Sequence, residues 1–170
     1  MDLPAIVTLA RANADWLGRK QDQLLSIAMG ILGAALLAGA RFVLLGRLIF
    51  MGGVPALTQS LSLPWPWNLT ATPLALLAYG PGEALYIVYF VIAFDATAES
   101  PHRSISRGVV VTACLWGLPH IWNVIFFGWG ALSNALFMIV IGLVLGLFFK
   151  RSRSALGPIT LWSLINGTSV

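Results

Sequence analysis

Three polar side chains lie within otherwise apolar stretches and could carry chemistry: Glu83, His120 and Asn166. Carboxylates and imidazoles are the groups that enzymes use for proton transfer and for holding metal ions. Ionisable side chains are costly inside a bilayer, so each marks a candidate functional site, although hydrogen bonding between helices is the plainer interpretation. Whether the three side chains can meet depends on the elements that position them.

The composition indicates that those elements are membrane helices. Of the 170 residues, 58% are hydrophobic and 9% are charged, whereas soluble domains carry roughly 25% charged residues. The mean hydropathy is +0.87, so a soluble globular protein is excluded. The net charge is +4, but the basic residues are scattered between apolar runs, and we expect no nucleic-acid partner. Cys114 is the single cysteine, which excludes an internal disulfide.

The apolar runs predict an all-α, polytopic membrane helical bundle with about five transmembrane helices. A crossing needs about 20 residues, and residues 1–23 have the spacing of an amphipathic cytoplasmic segment at the membrane interface. Residues 24–170 form the predicted transmembrane domain. Its predicted helices are residues 24–45, 73–94, 108–128, 131–149 and a short fifth helix at 155–170.

The basic residues predict the orientation of the bundle. With the N-terminus in the cytoplasm, most of the Lys and Arg residues flank cytoplasmic helix ends, as the positive-inside rule requires. Only Arg41 and Arg47 then lie outside. Five crossings would place the C-terminus outside. We expect an integral protein of a prokaryotic inner or plasma membrane, in contact with the lipid bilayer.

The three polar side chains are predicted to share one depth. At 1.5 Å per residue, Glu83, His120 and Asn166 each lie roughly 17 Å from a membrane boundary. Gly80-Pro81-Gly82 precedes the glutamate and Pro119 precedes the histidine. Each proline frees a backbone carbonyl and lets its helix bend. The sequence therefore predicts a polar site near the midplane, beside two broken helices.

The order of these motifs resembles the CPBP family of intramembrane proteases, also called the CAAX-protease and bacteriocin-processing family. The resemblance covers about residues 79–170, with its core at 73–170. It rests on Gly82-Glu83, Trp116-Gly117-Leu118-Pro119-His120, and Gly142-x-x-x-Gly146 followed by Asn166. The family's motifs are Glu-Glu-x-x-x-Arg, Phe-x-x-x-His and His-x-x-x-Asn. The resemblance implies a site that hydrolyses peptides with water activated by glutamate and histidine, together with zinc or another divalent metal.

The match to the family motifs is partial. Glu83, His120 and Asn166 occupy family motif positions. The positions that depart are Gly82 or Ala84 for the second glutamate, Ile87 or Val88 for the arginine, and Trp162 for the histidine of the third motif. A catalytic zinc usually has three protein ligands, and Glu83 with His120 supplies two. We therefore expect a pseudoenzyme that serves as an accessory or scaffold subunit bound to other integral membrane proteins.

Two alternatives remain open. The chain could be an active intramembrane metal-dependent endopeptidase with a reduced site, in which Glu83 and His120 bind the metal. It could instead be a cofactor-binding subunit, in which His120 ligates a haem or a chlorophyll-type pigment. In that case the surrounding aromatic side chains would be Trp116, Trp122 and Trp162.

Overall fold

The computed structural model describes residues 14–46, 58–97, 105–129 and 131–167. Regular structure within these ranges is entirely helical, which confirms the predicted all-α bundle. The helices are α1 (Lys20–Leu45), α2 (Trp67–Leu77), α3 (Glu83–Asp95), α4 (Arg107–Gly117), α5 (Asn123–Phe127), α6 (Ala131–Ser152) and α7 (Leu156–Gly167). A π-helical turn, Ala78–Gly82, joins α2 to α3, and a 3-10 turn, Leu118–Trp122, joins α4 to α5.

The membrane spans agree with the sequence prediction. Among the described residues, four stretches are long and apolar enough to cross a membrane: Lys20–Leu44, Trp67–Asp95, Arg107–Phe126 and Leu132–Ser152. The fifth helix is short, as predicted. α7 has 12 residues and is about 18 Å long, which is less than the roughly 30 Å of a hydrocarbon core.

Two predicted boundaries need comment. The second span begins at Trp67 rather than at residue 73, because residues 67–72 already belong to the helix. Of the predicted amphipathic segment 1–23, residues 1–13 lie outside the described residues. Ala14–Leu17 forms one 3-10 turn, and α1 already begins at Lys20.

The core lies between α3, α4, α6 and α7, and α1 packs along the outside of α7. Its largest fully buried side chains include Trp162, Ile87, Leu145 and Val88. α4 and α6 approach closely because Gly142 has no side chain. A Cβ atom at Gly142 would lie 2.9 Å from the Cα atom of Ala113.

A buried carboxylate joins three helices at one end of the bundle. Asp95, at the end of α3, accepts a hydrogen bond from the backbone N–H of Gly108 at 2.8 Å. Its other oxygen accepts one from Lys150 Nζ of α6 at 2.7 Å. We call this end the basic end, because five exposed cations lie there: Arg19, Lys20, Arg107, Arg151 and Arg153.

Candidate functional site

The site begins at a helix break that the sequence Gly80-Pro81-Gly82 creates. Tyr79 and Gly80 leave helical geometry, and Gly80 has φ 151° and ψ −88°, a conformation that only glycine adopts readily. The helix then resumes at Glu83, so the carboxylate belongs to the first turn of α3. The partial positive charge at a helix N-terminus favours an anionic side chain there.

The missing side chain of Gly80 lets α7 come close to the break. A Cβ atom at Gly80 would lie 3.0 Å from both the Cα and the Oγ atoms of Ser163. Ser163 follows Trp162 directly and precedes Asn166 by less than one helical turn. The close approach therefore places both Trp162 and Asn166 against the start of α3.

The Glu83 carboxylate accepts two hydrogen bonds from α7, both at Oε2. The indole Nε1–H of Trp162 donates at 2.5 Å and the amide Nδ2 of Asn166 donates at 2.8 Å. Trp162 is 1% exposed and Asn166 is 3% exposed, so both donors are buried. The structure thus brings Glu83 and Asn166 into direct contact.

Aromatic rings connect this pair to His120. Trp116 packs edge-on against Trp162, with ring centroids 5.3 Å apart. It also packs edge-on against the imidazole of His120, at 6.1 Å. His120 is close enough to Glu83 for an electrostatic interaction between the two side chains. The helix breaks therefore gather all three predicted site residues around one aromatic cluster.

The hydrogen bond of His120 fixes which of its ring nitrogens is free. His120 Nδ1 lies 3.1 Å from the backbone carbonyl oxygen of Trp116. Because a carbonyl oxygen only accepts, Nδ1 must carry the hydrogen. In a neutral ring the lone pair is then on Nε2, and the ring is half-buried.

The donor set does not fit a zinc centre with three protein ligands. Within the described part of the chain, no group of three His, Cys, Asp or Glu side chains is placed to hold a metal ion. Glu83 and His120 offer two ligands. Trp162 cannot supply the third, because an indole N–H only donates hydrogen bonds.

The fold and the site together define an all-α membrane protein with a polar site where its helices break. The family model for the type II CAAX prenyl endopeptidases, described as Rce1-like, matches residues 64–168. The chain therefore belongs to this family, which confirms the resemblance seen in the motifs. No curated protein and no solved structure matches the chain.

Two interactions were not predicted from the sequence. The sequence marks Trp162 as a departure from the family motif and does not predict that it donates a hydrogen bond to Glu83. The signal was the spacing of four residues between Trp162 and Asn166, which puts two donors on one helix face. The contact of Asp95 with Lys150 was also missed, because Lys150 was interpreted only as a topology signal.

Proposed function

We propose that this chain keeps the fold of the prenyl endopeptidase family without its proteolytic activity, and serves as an accessory or scaffold subunit of a membrane complex. The observation that carries the proposal is the hydrogen bond from Trp162 to Glu83. At the position that the resemblance aligns with a motif histidine, the chain carries an indole that donates a hydrogen bond to one carboxylate oxygen and has no lone pair to bind a metal. The pseudoenzyme would thus have turned a catalytic residue into a structural one.

The chemistry of water activation supports this proposal. A general base needs a free lone pair directed at the water that it deprotonates. Oε2 of Glu83 already accepts two hydrogen bonds, which leaves Oε1 as the one oxygen of this carboxylate that could act as the base. The second glutamate of the family motif, which would supply another carboxylate, is absent. The buried indole of Trp162 also fills space beside the carboxylate that a water molecule and a scissile peptide would need.

Loss of activity is tested with the full chain reconstituted in lipid nanodiscs. The substrate is a prenylated peptide that ends in a CAAX sequence, as the family description suggests. We expect no cleavage above the level of E83Q, a variant that preserves the shape of the side chain. Cleavage by the native chain that is lost in E83Q would overturn the proposal and favour the active endopeptidase.

The accessory role is supported by the bare surface of α2. This helix buries none of its residues, although membrane helices ordinarily pack against neighbours through one face. Within the described residues, its main contact is with the π-helical turn that follows it. A membrane helix with no buried residue offers a surface to which another integral membrane protein could bind.

Photo-crosslinking in native membranes tests this role. Leu74 of α2 and Leu36 of α1 are each 65% exposed, so a photoreactive residue at Leu36 is a matched control. We expect a discrete protein adduct from position 74 and lipid adducts from position 36. Lipid adducts alone at position 74 would contradict an accessory role through α2.

A second candidate function, pigment or haem binding, is favoured by the orientation of His120. Histidines that ligate metals usually donate the other ring N–H to a carbonyl, as Nδ1 does here. Against it, Trp162 packs on Trp116 and donates its hydrogen bond to Glu83, so it does not lie beside His120. A visible absorption band that is lost in H120A and kept in E83A would establish this function.

A further inference from the structure

We propose that four of the five cations at the basic end bind the phosphate of an anionic phospholipid. The site is formed by Arg19, Lys20, Arg151 and Arg153, which we call the arginine patch. All four side chains are exposed. The proposal does not depend on whether the chain is a protease, because it concerns the end of the bundle remote from the helix breaks.

The patch is assembled by contact between two distant parts of the sequence. The backbone N–H of Ala155 donates to the carbonyl oxygen of Trp16 at 2.9 Å. Gly18, with φ 72°, lies directly against the carbonyl of Arg153, where a side chain would collide. The turn between α6 and α7 therefore lies beside the start of α1. It brings Arg153 next to Gly18, the residue before Arg19 and Lys20, and Arg151 lies two residues before Arg153, in the last turn of α6.

The charges of the patch are largely uncompensated. Asp22 is the acidic residue near it: it pairs with Arg19 at 3.0 Å and interacts electrostatically with Arg153. Among the described residues, Lys20, Arg151 and Arg153 make no salt bridge. Among the side chains that the structure describes, the four cations of the patch face one carboxylate, Asp22, which leaves a positive surface that attracts an anion.

The backbone of Arg153 has a conformation that glycine would adopt at lower cost than arginine. Arg153 has φ 54°, and its N–H donates to the carbonyl oxygen of Phe149 at 2.9 Å to end α6. Helices that end in this left-handed conformation strongly prefer glycine at that position. An exposed arginine in a strained position points to use of its charge.

A phospholipid is the anion that the location favours. The patch lies where membrane helices end, at the level of lipid headgroups, and half-buried Trp16 beside it is a residue type typical of that level. Guanidinium groups bind phosphate through two parallel hydrogen bonds. Clusters of Lys and Arg next to membrane helices attract anionic lipids.

Native mass spectrometry of the full chain in detergent tests the proposal. Phosphatidylglycerol and phosphatidylcholine with the same acyl chains are titrated separately into the native protein, R153G, R151Q/R153G and R107Q. Arg107 is a matched control, because it is an exposed cation at the same end but belongs to α4, which packs on α3 and α6. R153G is informative because it removes the positive charge and at the same time places glycine, which adopts positive φ freely, at a residue with φ 54°.

We expect the native chain to prefer phosphatidylglycerol. R153G should weaken phosphatidylglycerol binding about fivefold, and R151Q/R153G about 25-fold, from the contribution of each basic side chain at a membrane surface. Binding of phosphatidylcholine, and all binding by R107Q, should change less than about twofold. Without lipid, R153G should melt at the native temperature or above it, because glycine adopts positive φ freely.

Three results would overturn the proposal. Unchanged phosphatidylglycerol binding in R153G and in R151Q/R153G would show that the arginine patch is not the site. An equal loss in R107Q would show a general effect of net charge. Stabilisation of the native chain by inorganic phosphate to the same extent as by phosphatidylglycerol would show a site for a soluble anion.

Discussion

At the residue scale, Glu83 is held by hydrogen-bond donors rather than surrounded by metal ligands. Trp162 and Asn166 both donate to the same oxygen, and both belong to α7. At the position that the resemblance aligns with a motif histidine, the chain carries an indole, which has a donor and no lone pair. The two hydrogen bonds make the carboxylate a link between α3 and α7.

The strength of this link can be measured with a double-mutant cycle. W162F removes the indole donor and E83L removes its acceptor, while the cycle cancels the effect of the smaller ring. We expect a coupling energy of about 1 kcal/mol, in the range of buried hydrogen bonds in membrane proteins. Thermal unfolding in detergent gives the values.

The control for this cycle is W122F, since Trp122 is 68% exposed and is not hydrogen-bonded to Glu83. W122F should show no coupling to E83L. A coupling near zero between W162F and E83L would mean that the Trp162 hydrogen bond contributes nothing to stability.

A histidine at position 162 should create a metal-binding site. Imidazole is shorter than indole, so W162H leaves a gap beside Glu83 that zinc, with bonds of about 2.0–2.2 Å to nitrogen and oxygen, can bridge. Together with His120 this makes three ligands. We expect W162H to bind zinc at least about tenfold more tightly than the native chain, measured by equilibrium dialysis and elemental analysis.

W162F and W162H/H120A serve as controls for the zinc measurement, because each lacks one of the three ligands. Both should bind zinc as weakly as the native chain. If W162H also binds no more zinc than the native chain, then Glu83, His120 and position 162 do not converge closely enough for a metal site.

The sequence predicted the meeting of Glu83 with Asn166 but not the full set of contacts. Equal depth in the membrane is readable from helix lengths, because the rise per residue is constant. The rotation of each helix about its own axis cannot be predicted from a single sequence when apolar residues lie on every face of the helix. The direction of the Trp162 indole, and the contact of Asp95 with Lys150, depend on that rotation.

At the element scale, the break at Gly80 sets the position of α7. Its φ of 151° bends the second span, and its missing side chain admits the backbone of Ser163. The sequence predicts the helix break from Pro81 and the glycines beside it. It does not predict that α7 is the helix that packs against the break. Proline and glycine indicate where a helix bends and leave its neighbour unspecified.

Gly80 should therefore tolerate no side chain. G80A places a Cβ atom 3.0 Å from Ser163 in a backbone conformation that alanine rarely adopts, so we expect a loss of about 2 kcal/mol or more in unfolding free energy. G39A is the control, because nothing lies within 4 Å of a Cβ at Gly39. G39A should be neutral or slightly stabilising in unfolding experiments, and equal effects of the two would contradict the close approach.

The packing of the end of α3 against the start of α4 and the end of α6 depends on Asp95. The side chains of Asp95 and Lys150 are 8% and 18% exposed, so D95A breaks a buried ion pair and removes the acceptor for Gly108. We expect destabilisation of about 3 kcal/mol by denaturant unfolding. D22A, which breaks an exposed ion pair with Arg19, should change stability little. Similar losses of unfolding free energy in D95A and D22A would show that the buried ion pair of Asp95 contributes no more to stability than an exposed one.

At the scale of the whole molecule, the charges are separated along the membrane normal. The described cations of the basic end are exposed, while Trp116 and Trp162 of the aromatic cluster are buried in the bundle. Sequence alone was enough to predict this separation, because the basic residues flank the apolar runs. The resulting asymmetry predicts that the basic end faces the cytoplasm.

Cysteine labelling in intact cells tests this orientation. In a C114S background, T97C is exposed beside the basic end, and S62C is exposed at the opposite end, before α2. A membrane-impermeant maleimide should label S62C in intact cells and T97C only after permeabilisation, since the positive-inside rule keeps basic flanks in the cytoplasm. Labelling of T97C in intact cells, with S62C protected, would reverse the orientation. It would also place the arginine patch against the outer leaflet, so the lipid measurement and the orientation together fix which leaflet supplies the bound phosphate.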